Sequence, residues 1–202
     1  MKTPNHTGIV NLLIEQKIIS LEPSPVKGTS IKAPVGVFLQ NMFNERKTLQ
    51  AIAMAILSQI PREVISIAGI GFDGIPLALN IAGYSHKRFV PVQSDYNANI
   101  EGFQEKNPLK GEKVMLITGV ITTGEDCGDA VRLINKAGGE CLGISCLFDF
   151  GLRPRYPLKE IYPLVTMEQL SEGYLGAYSR DIKAWLIHNK SMLRKQEAEL
   201  LV

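Results

Sequence analysis

The stretch MLITGVITTGEDCGDAV, Met115–Val131, changes character twice. It runs apolar from Met115 to Ile121, breaks at Thr122-Thr123-Gly124, and resumes with acids and small residues in a helical pattern. A buried strand that feeds a glycine turn and then a helix is the first half of a parallel crossover unit. The following residues complete it. EDCGDAVRLINKAGG closes on Gly138 and Gly139, where glycine commonly ends a helix, and ECLGISCLFDF reads as the next strand.

The same rhythm occurs upstream. EVISIAGIGFDG is a β-branched run into a glycine-rich turn, IPLALNIAGY is a helix with Pro76 near its first turn, and RFVPVQ is a second strand. Strands alternating with helices predict an α/β fold: a central parallel sheet with helices on both faces. Farther out, the apolar spacing of Ile9 to Ile19 predicts an N-terminal helix, and Glu45 to Gln59 predicts another. Between them LEPSPVKGTSIKAPVG holds three prolines and reads as loop or edge strand, because proline removes a ladder donor and restricts its predecessor. IYPLVTMEQLSEGY reads as a short strand and turn, and RDIKAWLIHNKSMLRKQEAELL as a C-terminal helix with a solvated end.

With 202 residues the chain suits one domain, residues 1–202. A 45% hydrophobic share with 21% charged residues is globular composition, and a net charge of +2 provides no field that would favour nucleic acid. Cys127, Cys141 and Cys146 form no CxxC pair, and no histidine stands at zinc-ligand spacing from them, so no metal site is expected and a reduced cytoplasmic location is. No apolar stretch approaches the about 18 residues of a membrane span. His86 reads as a surface residue before a strand, and Trp185 as a packing or oligomer contact.

In an open parallel sheet, ligands bind beyond the carboxyl ends of the strands, where helix N-termini offer free amides to anions. Two turns qualify. Gly69-Ile-Gly71-Phe-Asp-Gly74 has the form GxGxxG, and Asp95 ends the next strand where a ribose-binding acid would stand, so a dinucleotide fingerprint is one reading. A tight turn that needs glycine for backbone conformation alone is the other. Thr122-Thr123-Gly124 offers two hydroxyls and a flexible backbone, as a monophosphate cradle would, or is a plain turn with a Thr N-cap.

KGEKVMLITGVITTGEDCGDAVRLINKAGGECLGISCLF resembles the PRPP-binding segment of the type I phosphoribosyltransferases (PRPP, phosphoribosyl pyrophosphate), with its V-I-T-T-G loop and its helix ending in A-G-G. AGIGFDGIPLALNIA resembles the pyrophosphate loop of the orotate branch, which usually ends Y-K-G-I-P-L-A, and Lys32-Ala-Pro34 resembles that branch's K-S-P. IYPLVTMEQL and DIKAW are similar to its closing segments. The resemblance implies a central sheet with a small hood from the N- and C-terminal segments, residues 1–44 contributing. It also implies Mg²⁺-dependent transfer from PRPP to orotate, and a homodimer. In that reading Thr122, Thr123 and Gly124 would hold the 5′-phosphate, Gly71 to Gly74 the pyrophosphate, and Lys32 the base side.

The departures fall on charge. Where the family has two adjacent acids for the ribose hydroxyls, this chain has Thr118 and Gly119; after the phosphate loop, where a small residue and then Ser or Thr are usual, it has Glu125 and Asp126. Asp73, beside Phe72, takes the family's lysine position, and VQSDYNANIEG has no Lys, Arg or His where a basic mobile loop is usual. Weak or absent phosphoribosyl transfer is therefore expected, since that chemistry is chiefly electrostatic. No catalytic residue is assigned. Two other readings remain: a silent family member that binds a less charged nucleotide-like ligand or a partner, and the dinucleotide site. Glu125, Asp126 and Asp73 also suit helix first turns through the helix dipole alone.

Overall fold

In the computed structural model the described residues are 6–20, 22–26, 31–92, 109–152, 160–174 and 179–199. Helix α1 (His6–Glu15) buries Ile9, Val10 and Leu13 on one stripe. It stops four residues short of the predicted Ile19. The Ile18 amide donates to the Leu13 carbonyl at 2.8 Å and the Lys17 amide to Ile14 at 2.9 Å, with Lys17 at φ 53°. That left-handed reversal usually belongs to glycine. It sends the fully buried Ile18 and Ile19 into the core from beyond the helix end.

The hood comes next. Strand β1 (Ile19–Ser20) pairs antiparallel with β4 (Gly36–Val37), and β2 (Ser24–Pro25) with β3 (Lys32–Ala33). Each ladder is two residues long, as a proline-rich segment allows at a sheet edge. A 3₁₀ turn (Leu39–Phe43) leads into α2 (Arg46–Leu57), whose Thr48, Ile52, Ala53 and Ile56 make a buried stripe at helical spacing.

The central sheet follows. Strand β5 (Ser66–Ile70) runs into α3 (Gly71–Ser85) and β6 (Arg88–Val92). Strand β7 (Lys113–Ile121) then leads through α4 (Glu125–Lys136) to β8 (Glu140–Asp149) and β9 (Glu160–Thr166). A short helix α5 (Met167–Gln169), a π turn (Leu170–Tyr174) and α6 (Ser179–Glu199) close the described chain. All five strands are parallel in the order β6-β5-β7-β8-β9.

Side-chain alternation places a core on each face. On β7, Met115 and Ile117 join Leu77, Ala78 and Ile81 of α3 in one core, whereas Val114 and Leu116 join Cys127, Ala130 and Ile134 of α4 in the other. Burial on both faces explains why β5 is buried at every residue and reads as a continuous run. After β5 the chain adds β6 on one side and β7 on the other, so the strand order reverses between β5 and β7. That switch point opens a crevice at their carboxyl ends.

Helix α3 begins four residues earlier than predicted. Gly71, at φ 73°, turns the chain directly from strand to helix, so Gly71 to Gly74 form the first helical turn and Pro76 lies inside the helix. Its other end repeats the reversal of α1. His86, at φ 53°, takes the left-handed position and Lys87 donates its amide to the Ala82 carbonyl at 3.1 Å.

Candidate functional site at the strand switch point

The two turns singled out in the sequence meet at this crevice. Gly74 is buried where α3 crosses β7: a Cβ there would stand 2.6 Å from the Ile117 carbonyl oxygen and 2.9 Å from the Thr118 Cα. Gly69 is pressed the other way, since its Cβ would meet the Ala78 Cβ at 2.7 Å and the Gly74 carbonyl at 2.8 Å. Helix-to-strand packing thus explains Gly69 and Gly74, and the left-handed turn into α3 explains Gly71, so all three glycines of the GxGxxG form have a structural reason without a dinucleotide. Asp95, the acid that form would require, lies outside the described residues, as does the non-basic stretch from Gln93 to Gly102.

Asp73 reaches across the crevice. Its Cγ is 2.8 Å from where a Gly119 Cβ would be, its Oδ2 and the Leu39 methyl lie closer still, and its Oδ1 is 3.4 Å from the Cβ position of Gly71. The carboxylate is therefore held between the first turn of α3 and β7, beside Leu39 and above buried Gly119, which follows buried Thr118. Beside it Phe72 is 81% exposed and meets Phe43 of the 3₁₀ turn edge-on, ring centres 6.1 Å apart. Leu39 and Phe43 thus bring the hood to the crevice, a contact that no local sequence pattern announces.

The Thr122-Thr123-Gly124 turn leads from β7 into α4. Gly124 holds the N-cap position of α4 at φ 80°, ψ 7°, so the predicted Thr cap is replaced by a left-handed glycine. Thr122 and Thr123 are half-buried at the strand end, whereas Glu125 and Asp126 are exposed in the first helical turn. Cys127 measures the local field: burial, and then the charges of Asp126, Cys141, Asp149 and Asp73, push its thiol from the usual 9.0 up to about 12. Asp126, Asp149 and Asp73 thus all bear on the thiol buried on the α4 side of the sheet.

Lys32 is exposed in the hood, and its carbonyl accepts the Trp185 indole N–H at 2.6 Å, tying the hood to α6. Trp185 also packs on Phe150, ring centres 6.2 Å apart. A second feature went unpredicted. At the carboxyl ends of β8 and β9 lies a cavity of about 310 Å³, walled in part by Asp149, Phe150, Thr166 and Leu186. Asp149 is only 1% exposed and accepts the Gly151 amide at 2.8 Å. The acid at the end of GISCLFDF was the available signal.

No family model matches the chain. Solved structures define the class. The chain matches Leishmania donovani UMP synthase with a TM-score of 0.72 at 18% identity, over 92% of this chain and 43% of that one. It matches Francisella tularensis orotate phosphoribosyltransferase with a TM-score of 0.65 at 14% identity, over 88% and 96%. This is the type I phosphoribosyltransferase fold. Among curated proteins, orotate phosphoribosyltransferase of Listeria monocytogenes serotype 4b is 30% identical over 194 residues, 88% of this chain and 93% of its own. The chain belongs to the orotate phosphoribosyltransferase family. A transcriptional regulator of Methanocella arvoryzae is 26% identical over 152 residues, 61% of this chain and 69% of its own.

Proposed function

We propose that the switch-point crevice is a nucleotide-type ligand site that transfers phosphoribosyl groups from PRPP to orotate weakly or not at all. One observation carries this reading: the Asp73 carboxylate lies over Gly119, between the loop that would take pyrophosphate and the strand end that would take the ribose. Two unit charges of like sign about 4 Å apart repel by roughly 1–4 kcal/mol near a protein surface. Each such contact with a phosphate subtracts from binding, and from the electrostatic stabilisation on which the transfer depends. The backbone of Thr122-Thr123-Gly124 suits a 5′-phosphate, and the exposure of Glu125 and Asp126 lets those acids turn to solvent.

Among the described residues no three His, Cys, Asp or Glu side chains converge as a metal-ligating group. Magnesium, where it takes part, would arrive on PRPP. The family supports a cytoplasmic homodimer, and we read residues 1–202 as one domain with 1–44 in the hood. No helix among the described residues is long and apolar enough to cross a membrane.

Calorimetric titration with PRPP and Mg²⁺, then with orotidine monophosphate, tests the reading beside an orotate turnover assay. Absence of micromolar PRPP binding by folded protein is expected; turnover at a rate ordinary for an enzyme, about 1–10³ s⁻¹, would overturn it. A second reading, a non-catalytic family member that binds a ligand or a partner, is favoured by the likeness to a transcriptional regulator. Orotidine monophosphate binding without turnover would support that one.

A further inference from the structure

Glycine within a strand weakens it and marks a place where something approaches closely. At Gly119 the approaching group is the Asp73 carboxylate, together with the Leu39 methyl. The carboxylate turns Oδ2 toward Gly119 and Oδ1 toward Gly71, filling a volume that only glycine at position 119 leaves open. Its charge is felt at Cys127, across the loop at the start of α4. Residues 46 positions apart are thus exchanged in space: the side chain absent from the strand end is supplied from the first turn of α3.

We infer that Asp73 is the specificity-determining residue of the crevice, where its carboxylate accepts the adjacent hydroxyls of a ribosyl ligand and denies the same space to a pyrophosphoryl group. The inference rests on the proposed reading of the crevice as a nucleotide-type site. An ionised carboxylate offers two oxygens and about four lone-pair positions, so it can serve a vicinal diol while keeping its bonds within the protein. Hydrogen bonds to a charged acceptor are stronger than neutral ones, whereas a second anion in that space meets like-charge repulsion. The ligand class is a ribonucleoside with no pyrophosphate on its sugar.

Two measurements on the full chain test this. Urea unfolding of Gly119→Ala, Asp73→Gly and the double variant examines the shared volume. Gly119→Ala is expected to destabilise the Asp73→Gly background less than it destabilises the unsubstituted chain, the close Leu39 methyl accounting for the loss that remains; strictly additive losses would overturn the exchange. Calorimetry with uridine and 2′-deoxyuridine examines the diol. The unsubstituted protein is expected to prefer uridine by about tenfold or more, and folded Asp73→Gly to lose that preference. No uridine binding by folded protein, or an unchanged preference in Asp73→Gly, would overturn the inference. Ordinary orotate turnover with the preference intact would defeat the proposed catalytic weakness and leave the role of Asp73 in place. Weak turnover without the preference would do the reverse.

Discussion

Replacing Gly74 with alanine should separate the demands of packing from those of helix propensity. The added Cβ would lie 2.6 Å from the Ile117 carbonyl oxygen and 2.9 Å from the Thr118 Cα, against an ordinary contact of 3.4 Å or more. Both are backbone atoms of β7 in the middle of the sheet, so neither can swing aside. Helix α3 would have to lift by about 0.8 Å, loosening Leu77, Ala78 and Ile81 from the core they fill. Overpacking of this kind costs typically 1–3 kcal/mol, and rigid backbone on both contacts puts this site near the upper end. Alanine returns up to about 1 kcal/mol of helix propensity, leaving a net loss of about 2 kcal/mol. For a chain of this size that is a fall of roughly 4–8 °C in Tm. Gly83 supplies the control, because it is exposed in the same helix with nothing within 4 Å of its Cβ position. Gly83→Ala should gain about 0.5–1 kcal/mol. Urea unfolding followed by far-UV circular dichroism reads both. Gly74→Ala as stable as the unsubstituted chain would refute the close approach of α3 to β7, and with it the geometry of the crevice.

Other consequences follow from the same structure. The pKa of Cys127, about 12 against the usual 9.0, means that the unfolded chain releases this proton first on alkalinisation. The associated stability, on the order of 4 kcal/mol, is therefore fully present below pH 9 and lost between about pH 9 and 12, as alkaline urea titrations of the protein and of Cys127→Ala would show. In the native state at pH 8, Ellman's reagent should label none of the three buried thiols rapidly, and all three after denaturation. Thr166 and Gln169 cap α5 reciprocally, the Gln169 amide reaching Thr166 Oγ1 at 3.1 Å and the Thr166 amide reaching Gln169 Oε1 at 2.9 Å. Thr166→Ala should cost about 1 kcal/mol in thermal melts. His86→Gly should raise stability by up to about 1 kcal/mol, since a side chain in the left-handed region costs roughly 1–2 kcal/mol, and the more flexible unfolded chain takes back part of the gain.

The alternating architecture was legible because strands buried on both faces must be apolar throughout, and that constraint shows as runs such as VMLI and SIAGI. Element ends were less legible. Lys17 and His86 terminate helices in a conformation that sequence patterns assign to glycine, and Gly71 starts a helix where a glycine-rich turn was expected. Gly124 rather than a threonine caps α4, since a residue in the left-handed region was needed to leave β7. The lost acids at Thr118 and Gly119 and the charge reversal at Asp73 were visible as separate departures. That Asp73 fills the space over Gly119 was not, because strand order and helix-to-sheet distance arise from packing between residues far apart in sequence. An acid restored at position 119 must therefore displace Asp73, a condition absent from any residue-by-residue comparison. Asp149 was hidden for a related reason: one acid at the end of an apolar strand looks the same whether it meets solvent or lines a cavity.

The indole of Trp185 donates to the hood at Lys32, packs at a tilt against Phe150, and belongs to the chain's sole tryptophan. Emission from this protein therefore comes from one junction, where hood, last helix and the end of β8 converge. A red shift on warming, or a change in quenching by acrylamide, would register separation of the hood from the sheet before the sheet itself melts. The protein thus contains its own optical gauge of whether the hood is seated on the end of the sheet.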